Sequence, residues 1–148
     1  MLVWNEQFET GHSLLDAQHR MLISYINRLE ELAKSDQPSS TDVQLFMRFV
    51  DFLESYLLMH FTTEEDCMHR FKCPVHADNK RAHASFLDFF LKFKTRLRTE
   101  GCHPNEMRLL HGFCDSWIKK HILRIDVQLR PCLTQPSGPD EAWQFGAS

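Results

Sequence analysis

The sequence predicts an all-α protein, folded as an antiparallel up-down-up-down four-helix bundle with an N-terminal arm. Three observations lead to this prediction. Apolar residues recur every three or four positions over four long segments, which is the period of a helix with one buried face. Short breaks containing Gly, Pro or Ser separate the segments, and short connections favour antiparallel neighbours. No segment shows the alternation of a half-buried β-strand, and no internal repeat is visible.

Length and composition fit one domain with a full-sized core. We assign residues 1–130 of the 148-residue chain to it and treat 131–148 as a tail or linker. The net charge is −3, with acids and bases mixed, which excludes a nucleic-acid or membrane-surface footprint. Five cysteines in no tight pairing pattern, no apparent secretory signal and no long apolar run predict a cytoplasmic protein.

The arm and first helix occupy the first quarter of the chain. Residues 1–12 are expected to form an irregular arm, anchored by Trp4 and Phe8 and ended by Gly11. Ser13 is a suitable N-cap for a helix that extends to about Lys34. Its apolar face is predicted to contain Leu15, His19, Leu22, Ile26 and Leu29.

The second helix is predicted from about Thr41 to Phe71. A turn over 35–40 with Pro38 precedes it, and the run from Thr41 to Gln44 has the pattern of a capping box. Lys72-Cys73-Pro74 interrupts the helix. Its apolar face is predicted to contain Phe46, Phe49, Val50, Leu53, Leu57, Cys67, Met68 and Phe71.

The third and fourth helices are predicted over about Val75–Thr99 and Asn105–Leu129, divided by Gly101 and Pro104. The tail from Pro131 is rich in Pro, Gly and Ser and is typical of a linker or of a loosely docked end. As a linker, it would lead to an output domain outside this sequence. The apolar faces are predicted to contain Asn79, His83, Phe86, Phe90, Phe93 and Leu97 in the third helix, and Leu110, Phe113, Cys114, Trp117, His121 and Ile125 in the fourth.

Each of the four apolar faces also carries a metal-binding side chain. The set is His19; His60 with Glu64; His83; and His121 with Asp126. A single histidine on an apolar face is usually a hydrogen-bonded core residue, but four such residues would each need a separate buried partner. Helical bundles build metal sites from side chains on facing helices, and imidazole with carboxylate suits iron, manganese or zinc. The pattern therefore predicts a metal centre inside the bundle.

Asp126 is the residue that helical spacing supports least. It follows His121 by five positions, which is about 140° around an ideal helix. Ile125 occupies the position that would share a face with His121. A local bulge is expected to turn Asp126 towards the others.

Taken together, these motifs resemble those of the hemerythrins, and particularly the bacterial hemerythrin-like domains. The resemblance covers roughly residues 1–130, and its motifs are specific as a set. They are Trp4; Asp16-Ala17-Gln18-His19; His60-Phe61-Thr62-Thr63-Glu64-Glu65; Pro74 with His83 and Phe86; and Trp117-Ile118-Lys119-Lys120-His121-Ile122 with Asp126.

The resemblance implies a non-haem di-iron centre, in which an oxo or hydroxo group joins two iron ions that cycle between Fe2+ and Fe3+. Glu64 and Asp126 would bridge the ions. His19 and His60 would bind one iron, and His83 and His121 the other. O2 would bind end-on in an apolar pocket that is lined, by position, by Leu22, Phe61, Trp117, Ile118 and Ile122.

The chain departs from the family pattern at one ligand. Hemerythrins carry a His-x-x-x-His pair after the proline of the third helix; here the second position is His83 but the first is Asn79. His76 could replace the missing imidazole, although it lies beside the helix start. Alternatively, the amide oxygen of Asn79 binds iron weakly. The interpretation we favour is a position left vacant or filled by water.

The function predicted from these features is an O2 or redox sensor that autoxidises rapidly, rather than a storage carrier, and not an enzyme. NO and small anions such as azide are further expected ligands, and a fused or partner signalling domain such as a diguanylate cyclase is an expected partner. A competing hypothesis is a ferritin-like di-iron oxidase, which uses Glu-x-x-His pairs. The two matches, Glu9–His12 and Glu100–His103, fall outside the apolar faces. An O2 carrier and a metal-free structural bundle are two more hypotheses for the same pattern.

Overall fold

The computed structural model describes residues 1–133. The predicted linker over 131–148 lies, apart from its first three residues, outside them. Four long helices and one short helix make up the fold, with a 3-10 turn near each end at Glu6–Phe8 and Asp126–Gln128. The helices are α1 (Ser13–Leu32), α2 (Ser40–Arg70), α3 (His76–Glu100), α4 (Pro104–Arg124) and α5 (Leu129–Leu133).

The four long helices form a closed bundle. Each packs against the next in the chain, and α1 also packs against α4. The predicted all-α four-helix bundle is confirmed, and residues 1–133 contain no β-strand. Within the same residues, no helix has both the length and the apolar character needed to cross a membrane.

The predicted helix faces become the core of the bundle. In α3, all six residues of the predicted face are buried. Two apolar clusters result: a large one on one side of the histidine positions, and a small one on the other side. The large cluster includes Leu22, Ile26, Leu53, Phe86, Leu110 and Ile118. The small cluster consists of Leu15, Cys67, Met68, Cys73, Leu129 and Cys132. The histidines and carboxylates of the four helices thus form a polar layer between two apolar clusters.

The predicted N-caps of α1 and α2 are wrong by one and two residues, respectively. The capping box of α2 is formed by Ser39 and Asp42: Ser39 Oγ accepts from Asp42 N at 3.1 Å, and Asp42 Oδ2 accepts from Ser39 N at 2.8 Å. Ser39 follows Pro38 directly in the sequence. Asp42 also places a negative charge in the first turn, near the positive end of the helix dipole. In α1 the N-cap is His12, whose Nδ1 accepts from Leu15 N, so that Ser13 is the first helical residue.

The fourth helix ends earlier than predicted. It stops at Arg124, and the chain continues through Ile125 into the 3-10 turn Asp126–Gln128 and then α5. Pro131 lies inside α5 rather than at the beginning of a tail. Leu129 and Cys132 of α5 are buried against α2 and the turn that follows it.

Candidate metal centre

The polar layer brings together all six side chains that were predicted as metal ligands. None is more than 5% exposed, and Asn79 beside them is fully buried. The six are His19 of α1, His60 and Glu64 of α2, His83 of α3, His121 of α4 and Asp126 of the following turn.

Glu64 lies at the centre of this layer. Its Oε2 is 3.0 Å from His19 Nε2 and 3.4 Å from His60 Nε2. Its Oε1 is 3.1 Å from His83 Nε2 and 3.9 Å from His121 Nε2. Each carboxylate oxygen therefore faces a different pair of imidazoles.

Asp126 also lies between the two pairs of imidazoles and approaches one ring of each pair. Its Oδ2 is 3.2 Å from His19 Nε2, and its Oδ1 is 3.0 Å from His121 Nε2. The side chain reaches this place because α4 ends at Arg124; the helix termination, not the predicted bulge, turns Asp126 inward. Neither oxygen has a partner with hydrogen-bond geometry, although Asp126 is 1% exposed. Two buried carboxylate oxygens without hydrogen bonds are costly unless a cation compensates them.

The donor atoms divide into two groups, and within each group they lie within 4.8 Å of one another. We call His19, His60 and Glu64 Oε2 the first half-site. We call His83, His121, Asp126 and Glu64 Oε1 the second half-site. Glu64 belongs to both, and Asp126 also approaches His19 of the first.

Two imidazoles are oriented by residues outside the layer. His60 Nδ1–H donates to Gln18 Oε1 at 2.7 Å, and His83 Nδ1–H donates to Glu65 Oε2 at 2.9 Å. Since Nδ1 carries the proton in this arrangement, the Nε2 lone pair of each ring faces the centre of the layer. Such partners fix the tautomer of a ligand histidine and raise its basicity. Gln18 and Glu65 lie in the family motifs, but they are not on the predicted apolar faces, so spacing gave them no role.

Aromatic rings pack against the second half-site. Phe61 stacks on His83 with the ring centres 3.8 Å apart and the planes at 9°. Trp117 stacks on His121 at 4.3 Å and 11°. Each of these rings covers one face of an imidazole.

Asn79 occupies the second half-site as a hydrogen-bonding residue. Its Nδ2 donates to Glu64 Oε1 at 3.0 Å and contacts Met68 Sδ at 3.2 Å. Its Oδ1 accepts from His121 Nε2 at 2.7 Å. The alternative residue, His76, is the first residue of α3 and lies beside His69, with the ring centres 5.4 Å apart. His76 is therefore not among the residues of the polar layer.

An apolar cavity lies within the large cluster. It leaves no space for a water-sized molecule. Leu22, Trp117 and Ile118, three of the five residues predicted to line an O2 pocket, form part of its wall. Phe61 and Ile122 are buried in the large cluster but do not line this cavity.

Burial and charge shift the pKa values of the layer in opposite directions. Burial alone would lower the pKa of His19, but Asp126 and Glu64 raise it to about 10. Burial also opposes protonation of His83, yet Glu64 and Glu65 raise its pKa. At His60 burial outweighs Glu64, and the pKa is lowered. Burial would raise the pKa of Glu64, but its histidine contacts hold it well below the ordinary value.

These side chains fit a pair of metal cations. The buried carboxylates raise the pKa values of His19 and His83, and a cation bound to the Nε2 atoms would compensate the carboxylate charge more completely than protons. The donor set of four imidazoles and two carboxylates suits iron, manganese or zinc. Carboxylates with each oxygen facing a different group of donors are suited to joining two ions.

The chain matches a known protein family over most of its length. The sequence pattern of the family described as "Hemerythrin HHE cation binding domain" matches residues 10–133. The chain is 28% identical over 129 residues to a bacteriohemerythrin of Clostridium acetobutylicum, a match covering 85% of this chain and 96% of that protein. It is 26% identical over 128 residues to a myohemerythrin of Sipunculus nudus, covering 86% and 90%. These relatives are named as hemerythrins, not as enzymes.

A solved structure shows the same fold. A crystal structure of wild-type hemerythrin superposes with a TM-score of 0.76 at 21% identity, over 91% of this chain and 99% of that one. The matched residues of the family pattern include the whole polar layer, from His19 in α1 to Asp126 after α4. The chain therefore belongs to the hemerythrin family, whose members are non-haem iron domains that bind O2.

Proposed function

We propose that the chain binds two iron ions in its polar layer and serves as an O2 or redox sensor that oxidises rapidly in air. His19 and His60 hold one ion, His83 and His121 hold the other, and Glu64 and Asp126 join them. An oxo or hydroxo group would complete the bridge. The proposal rests on family membership and on the division of the layer into two half-sites.

The position of Glu64 is the observation that carries the two-ion proposal. Its oxygens face different imidazole pairs, with His19 at 3.0 Å from Oε2 and His83 at 3.1 Å from Oε1. Asp126 repeats this arrangement between His19 and His121. A site for a single ion needs its donors to converge on one point, whereas these donors converge on two.

The chain's own residues prepare the imidazoles to bind metal. When bound, ferrous iron supplies the electrons that O2 takes up. The lowered pKa of His60 keeps its Nε2 free of a proton, and Gln18 holds the ring in place. Phe61 and Trp117 stack on the imidazoles of the second half-site and hold the two rings in place.

The presence of an amide at Asn79 supports a function as a sensor rather than as an O2 carrier. The amide stands where the family pattern has an imidazole, so the second half-site offers two imidazoles instead of three. A coordination position without a protein donor is open to water or to a small anion such as azide, and both favour the ferric form. A carrier needs a long-lived ferrous form, but a sensor needs only a state that changes with exposure to O2.

Several further parts of the proposal follow from the sequence. NO is a second diatomic ligand of the same site. The tail beyond α5 serves as a linker to a fused or partner signalling domain, such as a diguanylate cyclase. The protein is placed in the cytoplasm on its cysteine usage.

The test is to load the chain with ferrous iron without oxygen, measure iron per chain, and then admit air. We expect about two irons per chain and rapid loss of the ferrous form, followed by the visible spectrum, without a long-lived oxygenated spectrum. Azide should then change the spectrum of the oxidised protein. A stable oxygenated spectrum in air would support a carrier instead, and one iron per chain would contradict the two-ion site.

A further inference from the structure

Cys73 and Cys132 lie face to face outside the polar layer. Their Sγ atoms are 2.9 Å apart and 59 residues separate them in the chain. A disulfide bond is about 2.05 Å long, so a movement of roughly 0.9 Å would bring the sulfurs to bonding distance. Both side chains are buried, at 5% and 7% exposure. Among residues 1–133, this is the one pair of cysteines whose sulfur atoms are hydrogen-bonded to each other.

Backbone structure fixes Cys73 in place. The turn after α2 has Lys72 in the left-handed region at φ +52°, with Cys73 N donating to Met68 O at 2.9 Å and Lys72 N donating to His69 O at 3.1 Å. This is the Schellman motif, which ends a helix and packs the residue after the left-handed position against the last turn. Cys73 therefore projects into the small cluster rather than into solvent.

Cys132 is held on the other side by a different part of the chain. It lies in α5, which begins directly after the turn that carries Asp126. The Sγ atoms of Cys73 and Cys132 are each 3.6 Å from Gln128 O. The two thiols thus join the turn between α2 and α3 to the segment that brings Asp126 into the metal centre.

We propose that Cys73 and Cys132 form a reversible disulfide that clamps the segment from Asp126 to α5 onto the end of α2. The oxidant is a low-molecular-weight disulfide. One cysteine thiolate attacks it and releases one small thiol; the other cysteine then attacks the mixed disulfide and releases the second. Two protein thiols become one disulfide, and two electrons and two protons pass to the small disulfide, which becomes two thiols.

The surroundings set the rate of this exchange. Burial, with the neighbouring Cys132, raises the pKa of Cys73 to about 11, so the closed form holds little thiolate at neutral pH. The helix α5 has only five residues, and short elements with few buried side chains open more readily than the core. Oxidation is therefore slow and follows the opening of α5. In the cytoplasm, such disulfides are usually transient.

The test uses the purified full chain, oxidised glutathione as the small disulfide, and dithiothreitol to reverse the reaction. Free thiols should fall from five to three per chain, and a peptide map should show Cys73 linked to Cys132. Closing a loop of this length should raise the melting temperature by about 10 °C and slow hydrogen exchange in α5. None of these readouts depends on iron.

Single variants separate the cross-link from packing in the small cluster. Cys73→Ser and Cys132→Ser should each abolish the shift in melting temperature between oxidised and reduced protein. Cys67→Ser is the matched control, because Cys67 is 6% exposed in the same cluster, and it should keep the shift. Five remaining thiols, a stable glutathione adduct without the internal link, or a link through Cys102 would each overturn the proposal.

Discussion

The two half-sites share the carboxylate of Glu64 but differ in what surrounds them. In the first, the outer nitrogen of His60 donates to the neutral amide of Gln18. In the second, the outer nitrogen of His83 donates to the carboxylate of Glu65. The second half-site also contains Asn79, a hydrogen-bonding amide at the position where the sequence resemblance predicts an imidazole.

Under the proposed two-ion function, this difference gives the two ions unequal surroundings. A carboxylate behind an imidazole makes it a stronger donor than an amide does. Glu65 should therefore make His83 a stronger metal donor, which compensates in part for the absence of an imidazole at position 79. We expect the first half-site to hold its ion with ordinary imidazole donors, and the second to combine one strengthened imidazole with an open position.

The largest expected effect is that of removing the residue that both half-sites share. Glu64→Ala should reduce bound iron from about two per chain to nearly none, because it removes an oxygen from each group of donors. His60→Ala should also lower the iron content sharply, and the first half-site should lose its iron before the second. Iron analysis after reconstitution measures both. Thr62→Ala, an exposed change in the same helix, is the control. Full iron in Glu64→Ala would show that the half-sites are independent of this carboxylate.

Metal removal should loosen the whole bundle, since both half-sites connect several helices. Ligands that bind only the folded state stabilise it by mass action, by about 2.7 kcal/mol at 100 times the Kd. For a chain of this size we expect the apo form to melt about 5–10 °C lower. Thermal denaturation of loaded and chelator-treated protein checks this. Equal melting temperatures would indicate that the polar layer is stable without metal.

Helical periodicity was sufficient to predict the bundle and to place most of the polar layer. The face of α3 illustrates this, because the spacing from Asn79 to Leu97 predicted six residues that are all buried. Spacing works there because a regular helix keeps residues three and four apart on one side. The ligand assignment itself stays a prediction, although the fold brings the six side chains together.

Helical periodicity could not predict two kinds of feature. These are the positions of helix ends and the contacts of residues that lie beside the buried faces. The position of Asp126 follows from the end of α4 at Arg124, which no apolar pattern marks. The start of α2 was wrong because Ser39–Asp42 and Thr41–Gln44 both have a capping-box spacing, and only the structure shows which one forms. The bonds from Gln18 and Glu65 cross between helices, so a pattern within one helix does not reveal them.

Neutralising Glu65 should make the two half-sites more alike. Glu65→Gln keeps an oxygen that can accept from His83 Nδ1–H but removes the charge, as in the contact between Gln18 and His60. Loss of such a partner typically weakens metal binding about 10- to 100-fold. Competition with a chelator should show weaker binding of the second iron only. Gln18→Ala is the companion variant and should weaken the first iron. Equal weakening of both ions by Glu65→Gln would show that the two half-sites do not bind separately.

The smallest expected effect, and the most specific, concerns Asn79. Asn79→His places an imidazole one helical turn from His83, where it can supply the donor that the second half-site lacks. Filling that position removes the place where water or an anion favours ferric iron. We expect oxidation in air to slow about tenfold, which corresponds to about 1.4 kcal/mol in the barrier. Stopped-flow mixing of the ferrous protein with air-saturated buffer measures the rate.

Two comparisons distinguish an added ligand from a disturbed core. Asn79→Ala removes the hydrogen bond to Glu64 and adds no imidazole, so it should oxidise as fast as the unaltered protein or faster. Azide should bind the oxidised Asn79→His protein more weakly, because a filled position no longer accepts it, whereas a merely repacked core would leave azide affinity unchanged. Since Asn79 is fully buried against Met68, the melting temperature of each variant is measured alongside. If Asn79→His folds and binds two irons but oxidises at the original rate, Asn79 does not determine the stability of the ferrous form.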